Sequence, residues 1–224
     1  MNYHNQYKNG SGLAWCAASM GAAVTLGEAL NMIGDLQTAR KLLEEGLTLA
    51  REQDEQQAIG WGLIHLGYNV LLQNDLIGAQ ACYQESAAIF EALGPHKSGL
   101  GWAHFGLGEA ALAKDDASAA IKNLKTAVKY FNQYKNRLGI AWCISSLAGA
   151  ISLQNQYKQV ARLWSMVEAI HDYKGAREAP IIKSLHEKLR ENVRSHLGEG
   201  NFKALVSEKQ SSSLEQAVNE AMAL

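Results

Sequence analysis

Tryptophans 61, 102 and 142 lie 41 and 40 residues apart, and each closes a similar phrase: AIGW, GLGW and GIAW. A fixed period of this length marks a chain assembled from stacked supersecondary units. Anchored on Leu66-Gly67, the same pair returns as Leu26-Gly27, Leu107-Gly108 and Leu147-Ala148. A turn signal follows each pair: Gly34-Asp35, Asn74-Asp75, Asp115-Asp116 and Asn155-Gln156. Gly or Asn tolerates the left-handed backbone that ends a helix, and Asp accepts the free amide groups that begin the next. Each unit therefore reads as helix, tight turn, helix.

Beyond the turn the small residues Ala39, Ala79, Ala120 and Val160 recur, followed by Leu43, Tyr83, Leu124 and Trp164, then Gly46, Ser86, Ala127 and Val167. These positions fall at helical spacing, so each hairpin carries an apolar face that it cannot bury alone. The expected fold is all-α, a stack of antiparallel helical hairpins. Composition agrees: Ala, Leu, Glu, Gln and Lys abound, against two prolines and four phenylalanines.

The order small, small, bulky across the turn resembles the tetratricopeptide repeat. Leu63, Leu66, Gly67, Val70, Ala79 and Tyr83 stand in its signature places, whereas His104 departs from it. The period also exceeds the roughly 34 residues usual for that repeat, with the extra length in EALGPHKSG and YFNQYKNRLG. The resemblance implies a right-handed α-solenoid. Another two-helix solenoid would obey the same stacking physics and stays open.

The two ends differ from the middle. Tyr3 to Cys16 repeats as Tyr130 to Cys143 with ten of fourteen positions identical. This suggests that the chain opens in the middle of a repeat, as though cut from a longer array. Trp15 and Asp35 are 20 residues apart, against 14 for Trp61 and Asp75, so the first helix of the first repeat should be elongated, or broken near Gly21 or Gly27. The expected organisation is a repeat array over 1–173, about four hairpins preceded by the end of a partial repeat, and capping helices over 174–224. In that tail Pro180 starts a helix carrying Leu185, Leu189, Val193 and Leu197, closed by Gly198 and Gly200. Two short helices follow, and Ser212 with Glu215 predicts a capping box for the last, Leu214 to Leu224.

VARLWSMVEAI, the Pro-started helix, HLGEGNF and SSSLEQAVNEAMAL together resemble the end of tetratricopeptide sensor regions in large bacterial regulators of the LuxR type, and in related kinases and cyclases. Such regions follow a DNA-binding, kinase or cyclase domain and a signalling ATPase, and receive effectors or partner proteins. The resemblance thus implies an interaction module of a cytoplasmic regulator, with the output domains elsewhere.

Residue chemistry points the same way. A formal net charge of -1 offers no field to gather phosphate backbones or anionic lipid, so neither direct nucleic-acid nor membrane binding is expected. No apolar run approaches the roughly 20 residues of a membrane span, and the polar start lacks the apolar segment of a signal peptide. Cys16, Cys82 and Cys143 have spacings far from CxxC and read as small core residues. The seven histidines include no HExxH, and GxxxxGK[ST] and GxSxG are missing. GLGEA near Gly106 sits within a predicted helix, where it cannot cradle phosphate. No cofactor, metal or catalytic residue is expected, and an enzyme is the remote reading.

What remains is a surface. First helices of such hairpins line the concave side, which nominates Trp61, Ile64, Tyr68, Trp102, Phe105 and Trp142 as contacts for a protein or peptide segment or a small effector. Glu28, Asn31 and Glu109 would orient it. A tryptophan recurring once per hairpin is most simply explained by packing between hairpins. Self-assembly through the ends of the array, as a homo-oligomeric scaffold, is the alternative function.

Overall fold

The turns organise this molecule. A computed structural model describes residues 25–27, 29–94, 98–169, 180–208 and 213–224, and among these the chain is helical with no strand. Residues 25–27 and 29–33 are helical. Ten helices follow: α1 Leu36–Glu52, α2 Gln56–Leu72, α3 Leu76–Ala92, α4 Ser98–Leu112, α5 Ala117–Gln133, α6 Arg137–Ser152, α7 Tyr157–Ala169, α8 Pro180–Leu197, α9 Glu199–Glu208 and α10 Leu214–Ala223. They fall into two compact units, Met1–Gly99 and Leu100–Leu224.

Each predicted turn takes the same form. Gly34, Asn74, Asp115 and Asn155 adopt φ of 89°, 63°, 56° and 60°, the left-handed conformation that reverses a helix end. The next residue then closes one helix and opens another. The amide of Asp35 donates to Leu30 O (3.0 Å), that of Asp75 to Val70 O (2.9 Å) and that of Asp116 to Ala111 O (3.0 Å). Their carboxylates accept the amides of Thr38, Gly78 and Ala119. Asn136 does the same between α5 and α6: its amide reaches Phe131 O at 2.8 Å and its side chain accepts from Gly139 N–H at 2.9 Å.

Not every turn is capped in this way: Gln156 turns its side chain to Gln154 instead, and Glu55, between α1 and α2, is a second exception. Its amide closes α1 on Ala50 O (3.0 Å), yet its side chain caps nothing. The backbone is already correct, with φ −82° and ψ 78° against −84° and 79° at Asp75, so the extra methylene is what takes the carboxylate out of reach. Glu55→Asp, which shortens the side chain without changing its charge, should stabilise the protein by about 0.5–1 kcal/mol. Urea denaturation at neutral pH measures the gain, and an unchanged midpoint would contradict this account of the turn.

All three recurrent columns of the second helices are buried: Ala39, Ala79, Ala120 and Val160; Leu43, Tyr83, Leu124 and Trp164; Gly46, Ser86, Ala127 and Val167. The pairing within a hairpin explains the glycines of the first helices. A Cβ on Gly27 would lie 2.8 Å from Leu43, one on Gly67 2.9 Å from Tyr83, and one on Gly108 2.6 Å from Leu124. The helices cross so closely there that the bulky residue occupies the space a side chain would need.

In the first unit α1 packs on α2, and α2 on α3. Ser86 donates to the carbonyl of Gly60 at 2.9 Å, satisfying a buried hydroxyl. In the second, α5 packs on α6 and α6 on α7. There α8 lies on α6 and α7, α9 on α7 and α8, and α10 on α5, α6 and α7. The tail helix starting at Pro180 buries Val193, with Leu197 half-buried; the side chains of Leu185 and Leu189 lie outside those described. Gly198 takes φ 75° at its end. The last helix begins at Leu214 as predicted, but its capping box is formed by Ser213 and Gln216 and not by Ser212 and Glu215. The repeated segment Tyr3 to Cys16 and Gly21 lie outside the described residues, while Gly27 stands inside a helical segment.

Candidate interaction surface

The first helices α2, α4 and α6 contain few acidic, basic or histidine side chains: His65 in α2, His104 and Glu109 in α4, Arg137 in α6. Helices apolar on most sides bury more than one face, and α6 does so almost completely. Among the side chains they leave partly uncovered are five aromatic ones, Trp61, Tyr68, Trp102, Phe105 and Trp142.

In the second unit three of the nominated side chains meet. The Trp102 and Trp142 rings stand 5.4 Å apart at 70°, Trp102 and Phe105 6.0 Å apart at 89°, and Phe105 and Trp142 6.1 Å apart at 30°. All three are half-buried. Beneath them lies Phe131 of α5, buried, its ring 4.9 Å from Trp102 and edge-on to it. The indole N–H of Trp142 is enclosed and meets no hydrogen-bond acceptor. The part of that ring reaching solvent is therefore hydrocarbon, suited to apolar contact.

The remaining candidates are placed differently. Trp61 of the first unit is half-buried and packs edge-on against Phe90, with ring centroids 5.4 Å apart. Tyr68 is also half-buried. Ile64 is buried in the core, so it offers no contact area. Asn31 and Glu109 are buried as well, so neither stands on a solvated helix face. Asn31 instead accepts a hydrogen bond from Asn69 Nδ2 at 2.6 Å. Glu28 lies outside the described residues.

Two participants escaped the sequence reading. Phe131 shares its repeat position with Ala50 and Phe90, a signal that could have placed it in the core beside the tryptophans. Asn69 stands where later repeats have Ala110 and Ala150, and that departure was readable.

The cysteines behave as packing residues. Burial, with a smaller contribution from Glu109, pushes the Cys143 thiol well above its ordinary range, so it stays neutral and a poor nucleophile. Cys82 is half-buried, its thiol also raised chiefly by burial; Cys16 lies outside the described residues. His104 stacks on Tyr130 with its Nδ1 3.2 Å from Asn123 Oδ1, a structural arrangement on the side of α4 facing α5. Among the described residues no group of three or more His, Cys, Asp or Glu side chains could hold a metal ion, and no helix is long and apolar enough to cross a membrane.

No protein-family model and no curated protein matches this chain.

Proposed function

We propose that this chain is a non-catalytic interaction module, a tetratricopeptide-like α-solenoid that receives a protein or peptide segment, or a small effector, on its first helices. In this reading it serves the sensor side of a cytoplasmic bacterial transcriptional or signalling regulator. The observation supporting it is the Trp102–Phe105–Trp142 cluster, three half-buried rings drawn from two successive first helices. Rigid aromatic groups lose little rotamer entropy on binding and dominate interface energetics. The same helices hold few acidic, basic or histidine side chains, so the surface suits recognition by contact area better than proton transfer.

The test is affinity capture with the intact chain, identification and purification of what is captured, and titration against Trp102→Ala and Phe105→Ala. Circular dichroism would verify that both variants remain folded. Each substitution should weaken binding about 30-fold, corresponding to about 2 kcal/mol at a hot spot. Equal affinity for all three folded proteins would place the partner on another face.

A further inference from the structure

A chain of four amides runs from the surface into the first unit. Gln37 Nε2 donates to Gln73 Oε1 at 3.2 Å, Gln73 Nε2 to Asn69 Oδ1 at 2.6 Å, and Asn69 Nδ2 to Asn31 Oδ1 at 2.6 Å. Asn69 Nδ2 also donates to the carbonyl of Leu36 at 2.9 Å. Asn69 is 0% exposed and Asn31 2%, so water replaces neither bond. The chain ends unfinished, because Asn31 Nδ2 is buried without an acceptor.

Stability alone does not account for this arrangement. A buried donor without an acceptor costs free energy, and an apolar pair of similar shape would avoid the cost. The protein uses such a pair elsewhere: the positions of Asn31 and Asn69 are taken in a later repeat by Leu112 and Ala150, both buried in one core. Apolar contacts are non-directional and survive a slide of one helix along another. Amide hydrogen bonds do not, since they weaken steeply with distance and angle. The three-residue turn Gln53–Glu55 already fixes the order of the hairpins, which leaves their axial register to be set.

We propose that Asn31 and Asn69 form a register lock, which holds helical residues 29–33 at a single axial position against α2 by a directional bond that the apolar Leu112–Ala150 pair does not supply. A buried asparagine at a helix interface fixes register in coiled coils by the same physics, at a cost in stability.

Two variants test it. Asn69→Ala strands the remaining Asn31 amide and should lower the thermal midpoint by about 5 °C. Asn31→Leu/Asn69→Ala restores the apolar pair and should recover or exceed the wild-type midpoint. Its amide NMR spectrum should nevertheless show doubled or broadened resonances for residues 29–33, α1 and α2, where the wild type shows one set. A double variant with one sharp set throughout would overturn the lock, and so would Asn69→Ala melting with the wild type. If the single variant does not fold, the spectrum of the double variant still decides.

Discussion

Phe131→Ala should destabilise the protein by about 4 kcal/mol, toward the upper end of the range for deleting a buried ring. The ring fills a slot made by missing side chains: a Cβ on Gly101 would lie 2.8 Å from it, and one on Gly139 2.7 Å. Glycines have nothing to swing into the vacated volume, so the cavity stays open and its cost is retained. Trp102 also loses its edge-on partner at 4.9 Å, a contact worth about 0.5–1.5 kcal/mol beyond buried area. Urea denaturation followed by circular dichroism measures the loss. Adding Gly139→Ala supplies the sharper check. Alone that substitution overpacks against Phe131 and destabilises; in the Phe131→Ala background it partly fills the void and should restore stability, so the two effects are strongly non-additive. Additive losses would mean that the slot is not shared as described.

Trp164 should give the second large effect, with a control built into its chemistry. It occupies the column of Leu43, Tyr83 and Leu124 on α7, is 2% exposed, and has the Arg190 guanidinium carbon 5.6 Å from its ring centroid. Trp164→Ala removes the largest side chain of that column and should cost about 3–5 kcal/mol. Trp164→Phe should cost less than about 1.5 kcal/mol. Its smaller ring keeps most of the packing, and it relieves the buried indole N–H, which meets no acceptor. If phenylalanine proved as damaging as alanine, the indole N–H would be contributing an interaction that packing does not explain.

How much of the fold is legible in the sequence depends on the kind of signal each residue carries. Turn residues carry it locally. Gly34, Asn74, Asp115 and Asn155 were placed in left-handed turns, and Asp35, Asp75 and Asp116 as caps, because left-handed backbone and a short carboxylate are properties of single residues. The buried columns followed from period and size alone. The capping box of α10 slipped by one residue because Ser211, Ser212 and Ser213 are interchangeable in sequence, and Gln216 can close the box as Glu215 would. Burial of polar residues was the harder failure. Asn31 and Glu109 look like solvated helix-face residues until their neighbours are known, and only the break at Asn69 in an otherwise Ala-bearing position hinted that an amide partner was inside. The aromatic surface was half legible. Sequence spacing put Trp102, Phe105 and Trp142 on successive first helices, but helices apolar on most sides give no contrast from which to tell a packed ring from a half-buried one.

Asp35, Asp75 and Asp116 each belong to two helices at once, ending one with the main chain and starting the next with the side chain. A hairpin cut from one such aspartate to the next is consequently a self-contained cassette. Its departure leaves the aspartate at the join able to serve both neighbours, and the insertion of another copy brings its own. Recombination between equivalent turns can therefore lengthen or shorten an array like this by whole cassettes without creating an uncapped helix end.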